Sequence, residues 1–189
     1  HVVFKGTDHD IDWNYNLKFF HKKLDNSKVY VHQGFFEKLH DDNMYKKIEN
    51  DILTLLLQYS NFEIIVTGHS LGAALATLFS FELSKKTTNL IKLVTFASPR
   101  IGNYEFKTEF ESTKHLVHYR ITNNRDIVTA IPFFNYYHVG INIFISEDKI
   151  EIFNKNTNDL CFKFSLFNCF SFCDHDMDSY FKRILENKW

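Results

Sequence analysis

Residues 66–76 read VTGHSLGAALA, in which Gly68, Ser70 and Gly72 fill the pattern GxSxG. The flanks decide what that pattern means. Upstream, FEIIV (62–66) is a short apolar run rich in β-branched residues; downstream, Leu71, Leu75, Leu78, Phe79 and Leu83 recur at helical spacing over at least three turns. Where a buried strand turns sharply into a helix, a serine at the turn is held in a strained conformation that lifts its hydroxyl above the sheet edge. Glycines two residues to either side let neighbouring elements approach. A bare GxSxG arises by chance roughly once in twenty chains of this size. With the strand before it and the helix after it, the stretch reads as a nucleophile elbow and not as an ordinary turn with a solvent-facing serine.

The surrounding composition suits such a fold. At 189 residues, 44% apolar and with a net charge of −1, the chain predicts one globular domain over 1–189 with a sizeable core. No basic run interleaved with aromatics is present, so nothing calls for nucleic acid. No apolar run approaches the roughly 18 residues that a bilayer span needs, so no transmembrane segment is expected. The chain opens on His1 and a strand-like VVFKG, which reads as a trimmed piece of a longer protein. Three cysteines, Cys161, Cys169 and Cys173, form no disulfide framework, and with His175 their spacing Cx7CxxxCxH matches no standard zinc pattern; no metal is expected. No NxS/T sequon occurs, which tilts away from a glycosylated secreted protein but assigns no compartment.

Strand-like and helix-like runs alternate, which predicts an α/β fold with parallel crossovers. Strands are expected at 2–5, 29–32, 62–67, 90–96 and 116–121, and a long helical stretch at 36–59 with a break near 41–43. After Pro132, HVGINIFISEDKIEIF reads as an antiparallel hairpin closed by a Ser-Glu-Asp-Lys turn. The chain ends on an amphipathic helix with Met177, Tyr180, Phe181, Ile184 and Leu185 on one stripe, capped by Asp174 or Asp176.

A serine hydroxyl needs a histidine to take its proton, and the histidine needs a carboxylate to fix its tautomer. In this class of fold the chain order is Ser, acid, His. Asp126 is the acid that fits, in the loop NNRD after the strand-like LVHYRIT; Asp148 and Asp159 read as surface charges. Among ten histidines, His69 adjoins the serine and points away from it, and His115 and His118 precede the acid. Of the two that remain, His175 in the loop entering the last helix is favoured as the base, and His138 reads as a core histidine. The developing oxyanion needs preplaced donors: the Leu71 N–H, and a second from the loop after the first strand, where Gly6 eases the turn and Thr7 offers an N–H and a hydroxyl.

These residues resemble the class 3, or fungal-type, lipases of the α/β-hydrolase superfamily. The likeness runs through VVFKGT, DWNYNL, VHQGFF, VTGHSLGAALA, TFASPRIGN, RITNNRDIVTAIP, YYHVG and a final DH before a helix containing Tyr180. It implies an α/β-hydrolase fold with a mostly parallel central sheet, here lacking the family's N-terminal elements and so leaving a sheet edge uncovered. It also implies Ser70, Asp126 and His175 as a triad and Thr7 with Leu71 as the oxyanion hole, in agreement with the choices made from the residues.

The expected activity is that of a serine carboxylester hydrolase of lipase type, cleaving acylglycerols or related lipid esters at a lipid–water interface through an acyl-enzyme and without a cofactor. The alternatives keep the site and change the ester (phospholipase A1, a diacylglycerol or monoacylglycerol lipase, an aryl or feruloyl esterase), or keep the fold as a catalytically silent lipid-binding or interaction module. In DHDIDWNYNL (8–17), Ile11, Trp13 and Leu17 form an apolar strip where the family carries a mobile lid. Trp13 reads as a lid residue, or else as a fixed core residue tying this loop to the sheet.

Overall fold

The computed structural model describes residues 1–6, 20–25, 27–147, 149–153 and 173–186. Among them a six-stranded sheet runs in the order β1 (Val2–Phe4), β4 (Ile64–His69), β5 (Ile91–Phe96), β6 (Leu116–Asn123), β7 (Ile141–Ile145), β8 (Ile150–Phe153). The first five strands are mutually parallel, and only the β7–β8 hairpin is antiparallel. Its turn is closed by the Ser146 N–H donating to the Lys149 carbonyl at 2.9 Å. The parallel, helix-linked sheet expected from the alternation is therefore present, with β1 at one end and Val3 largely exposed on it.

One strand of the sequence reading goes elsewhere. Val29 to His32 was expected in the main sheet; residues Tyr30–His32 form β3 of a separate two-stranded sheet with β2 (His21–Lys23), paired antiparallel. The sequence HKK carries no apolar alternation, so β2 is set by its partner and not by its own pattern.

The long helical stretch is two helices, α1 (Gln33–His40) and α2 (Met44–Gln58), broken at Asp41–Asn43 as expected. Asp42 and Asn43 lie at φ 48° and 57°, the left-handed region that these two side chains tolerate better than most. Helix α3 (Leu71–Ser84) follows the GxSxG stretch. Its apolar stripe was read as one-sided, but the helix is buried nearly all round, because Gly72, Ala73, Ala74 and Ala76 let its backbone close on the sheet while Leu75, Leu78, Phe79 and Phe81 fill the core. Helix α4 (Tyr104–Ser112) is capped by the Asn103 side chain, which accepts the Phe106 N–H at 3.0 Å.

Helix α5 (Met177–Glu186) departs from its predicted stripe: Tyr180 is fully buried and Ile184 packs partly, whereas Met177, Phe181 and Leu185 stay exposed. Among the described residues no helix is long and apolar enough to cross a membrane.

Candidate active site

Ser70 sits between β4 and α3 with φ 58° and ψ −122°, a conformation that a residue with a Cβ adopts only when its surroundings impose it. The imposing contacts are close backbone approaches. A Cβ on Gly68 would lie 2.3 Å from the Gly72 carbonyl oxygen, and one on Gly72 would lie 2.2 Å from the Phe4 carbonyl oxygen. The two glycines of the motif thus allow α3 to fold back over its own strand and against β1. The Ser70 N–H donates to the Phe96 carbonyl at 3.0 Å, tying the turn to β5.

His175 closes a short 3₁₀ turn, Cys173–His175, just ahead of α5. Its Nε2 lies 2.8 Å from Ser70 Oγ, and its Nδ1 lies 3.0 and 3.1 Å from the two carboxylate oxygens of Asp126. With Nδ1–H donating to the carboxylate, Nε2 carries the lone pair that faces the serine hydroxyl. Asp126 is buried and held on every side: its N–H donates to the Asn123 carbonyl at 2.9 Å, Oδ1 accepts the Val128 N–H at 2.9 Å, and Oδ2 accepts the Tyr180 hydroxyl at 2.7 Å. Burial, and then the neighbouring Asp126 charge, push the Tyr180 hydroxyl well above its ordinary range, so it stays a proton donor.

The structure thus brings together Ser70, His175 and Asp126, which the sequence selected from different ends of the chain. His138 is not among them. It is buried, its Nε2–H donates to the Thr129 carbonyl at 2.7 Å, and burial with the nearby Arg120 and Arg100 charges holds it neutral, well below the usual imidazole range. Leu71 opens α3, where a backbone N–H has no acceptor within the helix. Gly6 lies against the site: a Cβ there would sit 2.9 Å from the His69 carbonyl oxygen and 3.8 Å from Ser70 Cβ. Thr7 lies outside the described residues, as do Ile11, Trp13 and Leu17, Asp148 and Asp159, and Cys161 and Cys169. Cys173 is an exposed free thiol.

Three contributors escaped the sequence reading. His69, taken as structural only, is close to that but reaches the site: its Nε2–H donates to the His175 carbonyl at 2.8 Å, and burial, then the His175 charge, lower its own basicity. Arg100 clamps the loop after Asp126, donating from Nη1 to the Ala130 and Pro132 carbonyls at 2.6 and 3.0 Å. Arg183 is the third: its Nη1 lies 2.9 Å from Oδ1 of Asp174, the residue before His175. The motif TFASPRIGN contained Arg100, yet nothing in it announces a contact with a loop 30 residues on.

A parallel sheet with a strained serine between a central strand and its following helix, with Asp126 and His175 brought to it from later in the chain, defines the α/β-hydrolase fold. Residues 1–136 match the family model for "Lipase (class 3)", and the chain belongs to that family. It is 30% identical to a lipase of Rhizomucor miehei over 173 residues, covering 85% of this chain and 45% of the relative. It is also 30% identical to the chloroplastic phospholipase A(1) DAD1 of Arabidopsis thaliana over 151 residues, covering 69% of this chain and 33% of that protein. The solved triacylglyceride lipase of Rhizomucor miehei superposes with a TM-score of 0.77 at 26% identity, over 87% of this chain and 64% of that one. The chain spans about a third to a half of the length of these two sequence relatives.

Proposed function

We propose that this chain carries the catalytic centre of a serine carboxylester hydrolase of lipase type. The observation that carries the reading is the unbroken hydrogen-bonded line from Ser70 Oγ through His175 to the buried Asp126. In this mechanism His175 Nε2 takes the hydroxyl proton as Ser70 Oγ attacks the ester carbonyl. Asp126 steadies the imidazolium, and the protonated His175 then returns the proton to the departing alcohol, leaving an acyl-serine. Water, activated by the same imidazole, releases the fatty acid. The Leu71 N–H is the first oxyanion donor; Thr7, which follows Gly6, is the second, assigned from the sequence. No step calls for a cofactor or a metal.

The ester is an acylglycerol, in keeping with the likeness to a triacylglyceride lipase over most of the chain. The likeness to a plant phospholipase A(1) supports a phospholipid as the second reading. Ile11, Trp13 and Leu17 are assigned to a lid over the cleft on the sequence resemblance alone. In that role they favour reaction at a lipid–water interface, where the apolar strip exchanges the cleft for lipid.

A fluorophosphonate should label the folded protein once, at Ser70, and a panel of p-nitrophenyl esters, emulsified triacylglycerol and phospholipid should show turnover abolished by Ser70→Ala. Labelling at another residue, or none in a folded sample, rejects the hydrolase reading in favour of a silent binding module. For the lid, ester hydrolysis should jump as substrate passes from monomers to droplets, with Trp13 fluorescence changing on micelles in a Trp189→Phe background. A rate that follows substrate smoothly through that transition removes the lid and leaves the triad.

A further inference from the structure

The turn that presents His175 is held by side chains at every carbonyl. Ser179 Oγ donates to the Cys173 carbonyl at 3.0 Å, Asn123 Nδ2 to the Asp174 carbonyl at 2.8 Å, and His69 Nε2 to the His175 carbonyl at 2.8 Å. The turn also carries a carboxylate of its own. Asp174 is buried next to His175, so the imidazole sits within one residue of a second acid besides Asp126. That charge is met by Arg183, two turns into α5, whose Nη1 lies 2.9 Å from Asp174 Oδ1. The same guanidinium donates to Asn123 Oδ1 at the end of β6 and reaches Glu147 of the β7–β8 turn at 3.5 Å. Asp174 Oδ2 also accepts the Arg125 N–H at 3.4 Å.

We infer that Arg183 is a positioning residue for the reaction proposed above: through Asp174 and Asn123 it fixes the turn that aims His175 at Ser70. Two features support this over a role in surface charge alone. Arg183 and Asp174 are both largely withdrawn from solvent, their side chains 14% and 12% exposed, so their interaction is poorly screened, whereas Glu147 is 77% exposed and adds little. And Asn123 is shared: it takes the guanidinium on Oδ1 and holds the Asp174 carbonyl with Nδ2, so Arg183 orients the very amide that grips the turn. Deleting the cation removes the positive charge 2.9 Å from a buried carboxylate that adjoins the imidazole. The turn then relaxes toward solvent, and the 2.8 Å separation of His175 Nε2 and Ser70 Oγ is lost. Nη1 alone, with its two N–H groups, serves Asp174 and Asn123 together, while Nη2 faces Glu147.

The test compares Arg183→Met, Arg183→Lys, Asp174→Asn and the double variant Arg183→Met/Asp174→Asn on a soluble short-chain ester. Arg183→Met should lower kcat by about 10- to 100-fold with KM nearly unchanged, since misplacing a catalytic group by about 1 Å costs up to about 100-fold. Fluorophosphonate labelling of Ser70 should slow in parallel. Arg183→Lys, which keeps the charge, should recover most of the loss. The double variant should also hydrolyse faster than Arg183→Met, because it removes the carboxylate charge together with the cation that meets it. Wild-type kcat in Arg183→Met, or no gain in the double variant over it, overturns the inference; so does a loss that lies wholly in folded fraction by thermal melting. Should Arg183→Met fail to fold, the gain is read from the Lys and double variants. A wild type that neither turns over esters nor takes the fluorophosphonate overturns the underlying reading, and this inference with it; an active wild type with insensitive variants rejects Arg183 alone.

Discussion

The hydroxyl of Tyr180 donates to Oδ2 of Asp126 over 2.7 Å and accepts the Asn123 N–H at 3.1 Å, from a helix 54 residues further along the chain than the acid. Both ends of this bridge are buried. Tyr180→Phe keeps the ring and removes the bridge, leaving one carboxylate oxygen without its hydroxyl donor and one backbone N–H without its acceptor. The expected cost is roughly 1–3 kcal/mol of stability. With Asp126 freer to turn, kcat should fall about 3- to 10-fold. Urea melts and initial rates on a soluble ester check both; an unaltered melting midpoint would mean that the bridge contributes nothing.

The two histidines weighed for the base should separate by what they damage. His175→Ala removes the group between Ser70 and Asp126 and should lower kcat by about 10³-fold or more while the protein stays folded. His138→Ala empties a core position and strands the Thr129 carbonyl, so its effect should be on stability, roughly 1–3 kcal/mol, with kcat close to wild type in the folded fraction. Exchange of these two outcomes would move the base to His138 and dissolve the assignment.

What could be read along the chain was whatever declares itself within a few residues. The elbow was legible because its strand, its glycines and its helix are contiguous, and Asp126 and His175 because each sits in a polar loop beside a strand or helix end. The break at Asp41–Asn43 was legible in the same way, from local residue types. Position of β3 was not, since an apolar run does not say which sheet it joins, and β2 lacks any pattern to meet it with. The supporting contacts were out of reach for a related reason. His69 meets His175 across 106 residues, and Arg183 meets Asn123 across 60. The stripe of α5 misled because Met177, Phe181 and Leu185 are apolar at helical spacing yet lie exposed among the described residues; periodicity states which residues share a face, not what that face meets.

Gly72 offers a test of the elbow that needs no substrate. An added Cβ would stand 2.2 Å from the Phe4 carbonyl oxygen and 2.9 Å from the Lys5 carbonyl carbon, all backbone atoms that cannot swing aside. Gly72→Ala should therefore push α3 off β1 and destabilise by about 3 kcal/mol or more, at the upper end of what overpacking does. If Gly72→Ala melts with the wild type, β1 and α3 are not in the close contact described.

The buried histidines predict an acid-labile fold. His32 lies in the core, its Nδ1 accepting the Phe35 N–H at 3.4 Å as the cap of α1, and burial followed by the His21 charge lowers it to about 4. His69 and His138 are lowered too, both mainly by burial. Below the unfolded imidazole value near 6.5 the unfolded chain takes up protons that the native state refuses, so stability must fall as pH falls from about 6.5 towards 4. For His32 alone the loss across that window is up to roughly 3 kcal/mol, one pKa unit being about 1.4 kcal/mol. Glu82, which burial raises, works in the opposite direction as it protonates, so the wild-type curve by itself sums both signs. Comparison with His32→Asn removes that ambiguity. Asparagine keeps an acceptor for the Phe35 N–H but cannot take up a proton, and every other group cancels at matched pH. The wild type should lose more stability than His32→Asn between pH 7 and pH 5, by about 1–2 kcal/mol in urea midpoints converted with a common slope. Parallel losses in the two proteins would show that His32 is protonated as easily in the fold as out of it, and that another group sets the acid limit.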